Sequence, residues 1–469
     1  MKKNLILRAS MFMAVLAISM TSCSSDDNPI VVDTNPPVVD PNLPVELVGD
    51  LATRTLTKDK KYLIKGQVFV RTGVVLTVEP GTVIFGDKAT KGTLVIDRGG
   101  KLIAEGTAAE PIVFTSALAA GTRDRGDWGG IVILGNAPVN QPDPSIEGIT
   151  PAVIFGGTDN ADNSGVLKYV RVEFAGIELT PNNETNSITM GGVGSGTQMD
   201  YCQVSFGGDD GFEWFGGSVN AKHLVTFAMW DDCFDVDFGF TGKVQFGVSV
   251  RYGSYADQSG SNIFETDNGP NDNLTTLLTT GVFSNITGVG PRSTNTQSIN
   301  GNYQHAIDAR RRTALTIANS VFVGMPRGLR MNQQTVYENY AAGTGVMTNN
   351  VMVAPTTTFS NGGSSMAATA SDIQTWFNAS NETITNTDLP AVYLELGLNT
   401  NIFFGTNTST GYASNPDFRV TSGTLTTGAA FTNPKLADAF FTATTYRGAF
   451  GSTDWTDGWA EFNPVTKVY

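Results

Sequence analysis

Histidine and cysteine are scarce in this sequence, which limits the chemistry that it can support. Two histidines in 469 residues leave little room for a histidine-based metal site or a serine–histidine–aspartate triad. Three cysteines are too few for a disulfide-rich scaffold. Cys23 follows a signal-like segment, so only Cys202 and Cys233 remain for the fold. They are either two buried thiols or an oxidised pair, and the sequence leaves both open.

Basic residues are also in short supply. Lysine and arginine number 30 against 44 aspartates and glutamates, which gives a formal net charge of −14 at pH 7. Recognition of nucleic acid needs basic patches that neutralise phosphates. The acidic balance therefore argues against a nucleic-acid partner. It is compatible with cations, with cationic partners or with solubility alone.

The apolar run at the N-terminus, Met11–Ile18, is too short to span a membrane. It follows a basic start and precedes small residues, as in a secretory signal. Cys23 directly after these small residues resembles the lipidated cysteine of bacterial lipoprotein signals. The resemblance implies that residues 1–22 are removed and that acyl chains on Cys23 hold the protein to a membrane.

The segment after Cys23 also has a recognisable composition. Ser24–Asn28 (SSDDN) resembles the acidic signal that sends lipoproteins of Bacteroidota to the outer face of the outer membrane. A merely solvated start of a linker is the alternative. Residues 24–48 hold five prolines, which favours an extended tether. We therefore expect a tether over residues 23–48 and a single folded domain over residues 49–469.

Long helical periodicity is nearly absent. The exception is Ala367–Asn378, which predicts a short helical insertion near residues 366–380. A further helical turn fits Leu436–Phe441. Trp455 and Trp459 are predicted to cover the open end of the fold at its C-terminus, where strand edges need protection.

Short β-type segments recur instead, separated by Gly, Asn and Asp turns. Examples are Val83–Phe85, Leu94–Ile96 and Trp128–Leu134. Tyr169–Phe174 matches Tyr201–Phe206 at an offset of 32 residues, which predicts one turn of a coil plus a loop. Such irregular spacing fits a parallel β-solenoid, in which each turn buries its apolar face on its neighbours. Successive turns would lie about 4.8 Å apart.

Four motifs carry a resemblance to a known family. They are Glu79–Ile84 (EPGTVI), Gly100–Thr107 (GKLIAEGT), Pro111–Ser116 (PIVFTS) and Trp128–Gly135 (WGGIVILG). The combination resembles secreted right-handed β-helix lipoproteins of Bacteroidota, and the ending Tyr446–Phe450 is similar to their closing motif. The resemblance implies an all-β, right-handed parallel β-helix with loop insertions. It implies no particular activity, because β-helices serve as polysaccharide enzymes, adhesins and tailspikes alike.

An acidic, aromatic segment occurs twice in the middle of the chain. Gly208–Phe215 (GDDGFEWF) is followed 22 residues later by Trp230–Asp237 (WDDCFDVD). If 22 residues make one turn of the coil, carboxylates stack on carboxylates. Calcium takes six to eight oxygen ligands and suits such an arrangement; a solvated acidic edge or turn-stabilising aspartates are the alternatives. The candidate metal or ligand residues are Asp209, Asp210, Glu213, Asp231, Asp232, Asp235 and Asp237.

Other residues near this repeat suggest further chemistry. Trp214 and Trp230 are candidates for stacking on a sugar ring, with core packing as the alternative. Glycoside hydrolysis needs two carboxylates about 5 to 9.5 Å apart, which successive turns would supply. A lyase needs a base, for which Arg310–Arg312 is a candidate, with an ion-paired face as the alternative. The histidine motif of polygalacturonases is absent.

Three functional hypotheses follow. The first is a non-enzymatic outer-membrane lipoprotein at the cell surface, whose β-helix binds extracellular polysaccharide or an outer-membrane nutrient-uptake protein. The second is a polysaccharide lyase or glycoside hydrolase that uses the acidic residues. The third is a structural or adhesive surface protein. The lack of a complete catalytic motif favours the first, and calcium is the one cofactor that the residues suggest.

Overall fold

The computed structural model describes residues 43–180, 183–354, 356–386, 388–404 and 415–469. The signal segment, Cys23 and most of the predicted tether lie outside these residues. Leu43–Tyr469 forms one compact unit. Its first strand begins at Val45, so the fold starts within the segment that was assigned to the tether. No described helix is long and apolar enough to cross a membrane.

The described residues contain 28 β-strands, three α-helices and four short 3-10 helices. The first strands are β1 (Val45–Asp50), β2 (Arg54–Leu56), β3 (Lys61–Val70), β4 (Val75–Val78), β5 (Val83–Gly86), β6 (Thr93–Ile96), β7 (Lys101–Glu105), β8 (Ile112–Ser116), β9 (Ile131–Leu134), β10 (Gly165–Glu173), β11 (Glu178–Thr180), β12 (Asn183–Glu184), β13 (Ile188–Gly191) and β14 (Gln198–Ser205). The next are β15 (Phe212–Phe215), β16 (Asn220–Phe227), β17 (Phe234–Asp237), β18 (Lys243–Val250), β19 (Phe264–Thr266), β20 (Val282–Val289), β21 (His305–Ala309), β22 (Thr316–Ala318), β23 (Val321–Val323), β24 (Arg327–Met331), β25 (Val346–Thr348), β26 (Val351–Val353), β27 (Thr357–Asn361) and β28 (Glu382–Ile384). The helices are α1 (Gln334–Ala341), α2 (Ala370–Asn378), α3 (Leu389–Leu396) and the 3-10 turns Thr400–Ile402, Thr424–Thr426, Pro434–Leu436 and Pro464–Thr466.

All strands except the β11–β12 hairpin pair in parallel around one continuous coil. The molecule is a right-handed parallel β-helix, as the sequence predicted. The pairings define three faces, which we call sheets 1, 2 and 3. Sheet 1 runs from β2, β4 and β7 to β22 and β25; sheet 2 from β5 and β8 to β26 and β28; sheet 3 through β6, β9, β13, β15, β17, β19, β21, β24 and β27.

Long strands bend from sheet 1 into sheet 2 at a residue in the left-handed backbone region. In β10 this residue is Tyr169 (φ 49°), and the next turns place Tyr201, His223 and Phe246 at the same corner. Their rings stack with centroids 4.4, 4.2 and 5.2 Å apart. A non-glycine residue with positive φ is strained by about 1–3 kcal/mol, so the stacking of the rings offsets part of that cost.

The interior of sheet 3 is a column of apolar side chains, one from each turn of the coil. Phe212 lies opposite Phe234, and Phe234 opposite Phe264. The ring centroids are 6.2 and 5.0 Å apart. All three side chains are fully buried. Burial of such columns provides the main stabilisation of a β-helix, because the effect grows with the apolar area removed from water.

Residues 430–469, which we call the C-terminal strap, run back along the side of the coil towards its first turns. Side-chain amides hold the strap by donating to it and accepting from it: Gln245 pairs with Thr442 in this way, and Gln203 pairs with Glu461. Tyr469 ends the strap, and its hydroxyl donates to the buried Glu173. The strap therefore connects late and early turns of the coil.

The prediction that Trp455 and Trp459 cover the open end of the coil is wrong. Both pack edge-on against the aromatic corner, with Trp459 5.8 Å from Tyr169 and 5.9 Å from Tyr201. The same segment hydrogen-bonds to the side of the coil, because Arg171 donates to the carbonyl of Trp459. Tryptophans near the C-terminus thus belong to the strap.

The predicted helical insertion near residues 366–380 is present as α2, which begins after the N-cap residue Thr369, and Thr369 forms a capping box with Asp372 in the first turn. Its buried residues Ile373 and Phe377 lie against the last turn, where Phe377 is 5.3 Å from Phe359. Helices α1 and α3 were not predicted. Near Leu436–Phe441 the structure has only the 3-10 turn Pro434–Leu436.

The two cysteines of the fold are not paired. Cys202 and Cys233 are both free and fully buried. Cys202 lies in β14 and contacts the carbonyl of Leu167 at 3.5 Å, whereas Cys233 contacts Ser249 at 2.9 Å. Of the two alternatives that the sequence left open, the structure supports buried thiols.

Candidate functional site

The acidic near-repeat occupies adjacent turns of sheet 3. Phe212 pairs with Phe234, and Glu213 with Asp235, so the 22-residue offset is one turn of the coil, as predicted. Because side chains alternate along a strand, the phenylalanines point inward and the carboxylates outward. The 32-residue match between β10 and β14 is also one turn, since Val170 pairs with Cys202.

The outward column continues beyond the repeat. Asp235 pairs with Glu265, Glu265 with Asp308, and Asp308 with Arg330. Four carboxylates from Glu213 to Asp308 therefore stack on four successive turns before a basic residue appears. At the end of the column Arg330 donates to both carboxylate oxygens of Asp308, through its Nε and Nη2. The uncompensated part of the column lies at Glu213 and Asp235.

Asp210 and Asp232 have a structural role. They precede strands β15 and β17 at the turn into sheet 3, where each side chain accepts a hydrogen bond from the backbone of the next turn. Asp210 accepts from the N–H of Asp232 at 2.8 Å, and Asp232 accepts from the N–H of Asn262. Asn262 continues the pattern by accepting from the N–H of His305 at 2.9 Å. This ladder satisfies buried N–H groups that the strands do not pair.

The remaining oxygens of these aspartates join those of the outward carboxylates. Three groups of three carboxylates each bring one oxygen per residue within 4.8 Å of one another. Two unit charges at that distance repel by about 1 kcal/mol in water and by several times more near a surface of low dielectric constant. Neighbouring groups share Asp210 or Asp235. The groups are Asp209, Asp210 and Asp231; Asp210, Glu213 and Asp235; and Asp232, Asp235 and Glu265.

Asp235 lies at the centre of this arrangement and has no hydrogen-bond partner among the described residues. Its Oδ1 is buried. Asp209 likewise receives no hydrogen bond from the described part of the chain, whereas Asp231 accepts from the hydroxyl of Ser259 at 2.9 Å. Glu213 accepts from the side-chain amide of Asn186. A buried carboxylate oxygen without a partner is costly, so Asp235 is the group that most needs a ligand.

The carboxylates of the site hold protons more tightly than usual. Burial raises the pKa of Asp235, and the charges of Glu213 and Glu265 raise it further. Burial and the charge of Asp231 likewise raise the pKa of Asp209. Burial also raises the pKa of Asp231, to about 6. A bound cation would oppose these shifts, because its positive charge favours the ionised form of each carboxylate.

Arginines neutralise the acidic column at one end only, on the turns that carry Glu265 and Asp308. Arg310 donates to both carboxylate oxygens of Asp267, at 3.0 and 2.5 Å, and also pairs with Glu265. Arg311 donates to Asp267 at 2.8 Å. Burial alone would lower the pKa of Arg310, but the hydrogen bonds to Asp267 and the charge of Glu265 raise it above its ordinary value. Arg310 is therefore an ion-paired residue that holds its proton, which disfavours the catalytic base considered from the sequence.

Arg251 approaches the same turns from inside the coil. Its guanidinium is fully buried and donates to the carbonyls of Asp231 and Asn262. It also contacts Cys233 at 3.2 Å. Arg251 fixes the backbone on which Asp231 and Asp232 stand and places a positive charge behind them. Nothing in the sequence pattern indicated this contribution.

Loops from distant turns form walls above the carboxylates and enclose two adjoining cavities of about 330 and 430 Å³. Glu184 and Asp209 line both, so the cavities form one depression, which we call the acidic groove. No lysine, arginine or histidine lines either cavity within the described residues. The polar residues of the lining include Glu147, Glu184, Asn186, Asp209, Asp210, Glu213, Asp231 and Asp257.

The two tryptophans proposed to stack on sugars lie in different surroundings. The prediction for Trp214 is wrong, because its side chain is fully buried and packs 6.3 Å from Phe234 inside the coil. Trp230 lines the larger cavity. The guanidinium of Arg125 lies 3.5 Å from the centre of its ring, and its Nε1 donates to Asp257. Trp230 therefore lies at the groove, and Arg125 already stacks on its ring.

Sequence reasoning missed the walls of the groove. Asn186 and Asp257 stand on loops outside the repeat, Glu184 lies in the β11–β12 hairpin, and Phe155 comes from a loop before β10. Phe238 directly follows the second copy of the repeat and lines the smaller cavity. These residues share no motif. The one signal in the sequence is the length of the insertions between strands, which predicts loops but not where they pack.

The fold and the site together define a parallel β-helix protein with an acidic groove on the outer surface of one sheet. The family model described as pectate-lyase like beta helix domain matches residues 49–392. The chain belongs to this family. The match extends from β1 into α3, so the C-terminal strap lies outside it. Neither the curated proteins nor the solved structures gave a match.

Proposed function

We propose that this protein is a lipid-anchored cell-surface protein that binds extracellular polysaccharide in the acidic groove, with the help of a divalent cation. The observation that carries the proposal is the unpartnered carboxylate of Asp235. Asp235 belongs to two groups of three carboxylates, and within each group the oxygens lie within 4.8 Å of one another. The proposal of a lipid anchor rests on the N-terminal sequence, in which Cys23 follows a lipoprotein-type signal.

The cation would lie among Asp210, Glu213 and Asp235. Asp210 uses one oxygen in the turn ladder, and Glu213 uses one for Asn186, which leaves further oxygens to bind a metal. Within the described ranges no arginine pairs with these three residues, in contrast to Glu265 in the neighbouring group. Calcium suits oxygen ligands of this kind and completes its shell with water or with sugar hydroxyls.

A glycan is the ligand class that fits the rest of the groove. The groove is open, polar and bordered by ring faces and apolar side chains, which is how protein sites orient ligands of moderate size. A binding role is favoured over a lyase because Arg310 is tied to carboxylates and Asp210 and Asp232 serve the turn ladder. Arg310 is therefore not free to act as a separate base.

Thermal unfolding with calcium tests the cation. We expect millimolar calcium to raise the melting temperature above that in chelator, because a ligand that binds only the folded state stabilises it. Asp235→Asn should abolish this increase. Glu395→Gln, which removes a charge from an exposed position on α3, is the matched control and should retain it. An unchanged melting temperature in the wild type contradicts the cation site.

Glycan binding is tested with a panel of neutral, acidic and amino polysaccharides. We expect retention on at least one glycan without release of products, and loss of retention in chelator. Product release by the wild type that is lost in Asp235→Asn would instead support a polysaccharide lyase or hydrolase. No retention on any glycan, in calcium or chelator, contradicts the proposed function.

A further inference from the structure

The smaller cavity of the acidic groove has two chemically different sides. One side is apolar and consists of Phe155, Phe215 and Phe238. The rings of Phe155 and Phe215 are 6.2 Å apart, and those of Phe215 and Phe238 are 5.0 Å apart. Phe215 and Phe238 are only half-buried, so this wall is accessible to a ligand. An aromatic wall of this size offers a surface for the apolar face of a sugar ring.

The other side of the cavity consists of hydrogen-bond acceptors. Its carboxylates are those of Asp209, Asp210, Glu213 and Glu184, with Glu147 beside them in the lining. Every charged residue in the lining is acidic, and no basic side chain of the described residues reaches it. A negatively charged sugar would meet like charge here, whereas a positively charged group would meet opposite charge.

Asn186 gives an independent indication of a ligand. Its side chain is 5% exposed and lines the cavity. The amide nitrogen donates to Glu213 and to Thr189, which fixes the orientation of the amide. The oxygen Oδ1 is left buried and without a hydrogen-bond partner. A buried acceptor of this kind is rare in folded proteins and calls for a donor from a ligand.

The geometry points to a subsite for a sugar ring that carries a free, protonated amino group, as in a deacetylated hexosamine polymer. The ring would lie against Phe215 and Phe238. The ammonium group would donate to Asp209 and to the Oδ1 of Asn186. An ammonium has three donors and no acceptor, which matches a lining whose charged groups and buried free atom are all acceptors.

This inference rests on the proposed glycan-binding function and names the class of glycan. The two sites use different residues: Asp209 and Asn186 are assigned to the amino group, whereas Asp210, Glu213 and Asp235 are assigned to the metal. Charge-assisted hydrogen bonds are about twice as strong as neutral ones. The amino group should therefore dominate the choice between sugars that otherwise stack equally well.

Isothermal titration with four matched hexasaccharides tests the subsite. They are the β-1,4-linked hexamers of glucosamine, N-acetylglucosamine and glucose, and a hexamer of galacturonate, at a pH near 6 where the amine is charged. We expect the glucosamine hexamer to bind at least about tenfold more tightly than each of the others. Equal or weaker binding of the glucosamine hexamer overturns the inference.

Two variants separate the two sides of the cavity. Asp209→Asn should reduce the affinity for the glucosamine hexamer by about tenfold, with little change for the glucose hexamer. Phe215→Leu keeps an apolar side chain but removes the ring, and should weaken the binding of both the glucosamine and the glucose hexamer. Glu395→Gln is the control for loss of one charge and should bind like the wild type. Circular dichroism melts establish that each variant is folded, and a folded Asp209→Asn variant with unchanged affinity for the glucosamine hexamer contradicts the inference.

The experiment also separates failure of this inference from failure of the proposed function. If another hexamer binds best and calcium stabilises the protein, the proposed function stands and the amino-sugar subsite is wrong. If none of the four hexamers binds and calcium has no effect on melting, the proposed function fails as well.

Discussion

At the scale of single residues, the position of an aspartate relative to a turn decides what it does. Asp210 and Asp232 precede their strands and use an oxygen to cap the backbone of the next turn. Asp235, in the middle of a strand, points outward and has no partner among the described residues. The same residue type thus stabilises the fold at one position and stores unfavourable charge at another.

The ladder makes a specific prediction for Asp210. Asp210→Asn should keep the hydrogen bond, since an amide oxygen accepts as a carboxylate does, and should raise stability in chelator by removing one charge. Asp210→Ala should cost about 1–3 kcal/mol, because the N–H of Asp232 is left buried without an acceptor. Urea unfolding in chelator measures both. Equal effects of the two substitutions would contradict the ladder.

The buried tryptophan provides a second prediction at this scale. Trp214→Ala should reduce the free energy of unfolding by about 3–5 kcal/mol, as expected for loss of a large core side chain. Trp230→Ala should cost less, because Trp230 is half-buried. Chemical denaturation of the two variants makes the comparison. A larger loss for Trp230→Ala would contradict the assignment of Trp214 to the core.

At the scale of elements, stacked strands and the strap stabilise the molecule in different ways. The strands bury apolar columns, such as the one through Phe212, Phe234 and Phe264. The strap is held by side-chain amides that reproduce the two-way hydrogen bonding of a neighbouring strand, as at Gln203 and Gln245. These two clamps join residues 258 and 197 positions apart in the chain, so they restrain distant turns together.

Loss of one amide clamp should be measurable. Gln203→Ala removes two hydrogen bonds to Glu461 and should cost about 1–3 kcal/mol. Gln203→Glu should retain only the bond that it can accept, and should be intermediate at most. Hydrogen exchange should accelerate at Trp459 and Glu461 while the core of β14 stays protected. Uniform acceleration throughout the chain would contradict a locally clamped strap.

The strands and helices were more predictable from the sequence than the loops. The 22-residue offset predicted the pairing of Glu213 with Asp235, because residues one repeat apart in a solenoid become neighbours on successive turns. Helix α2 was predictable from its apolar face. The walls of the groove were not, since Asn186 and Phe155 are brought there by loops whose paths depend on tertiary packing. Trp214 was misassigned because alternation alone does not say which face of a strand points inward.

At the scale of the whole molecule, charge is concentrated on one surface of the coil. Sheet 3 carries four stacked carboxylates on its outward column, and the groove walls add further acids without a basic residue among the described lining. Such a surface attracts cations and positively charged ligands over several ångströms. The proposed lipid on Cys23 would present this surface to the medium on a tether.

This charge distribution predicts how stability depends on pH. Burial raises the pKa of Asp231 to about 6 and that of Asp237 to about 7, above their values near 4 in the unfolded chain. A group with a raised folded pKa contributes stability that is present below the unfolded pKa and lost as pH rises through the folded value. In chelator, the melting temperature should therefore fall between about pH 4 and pH 7.

Calcium supplies the control for this pH effect. If the loss of stability comes from carboxylates in the acidic groove, saturating calcium should restore much of it at neutral pH and little at acid pH. A melting temperature in chelator that is flat or rises over the same range would contradict the electrostatic account. Equal stabilisation by calcium at both pH values would place the ion elsewhere.

The most direct test of the central claim is a crystal structure with a bound divalent cation, located by its anomalous scattering. Crystals grown with calcium, or with a heavier divalent ion in its place, should show a peak within bonding distance of Asp210, Glu213 and Asp235. An acidic groove without a peak there, at cation concentrations that fill other sites on the molecule, would contradict the account.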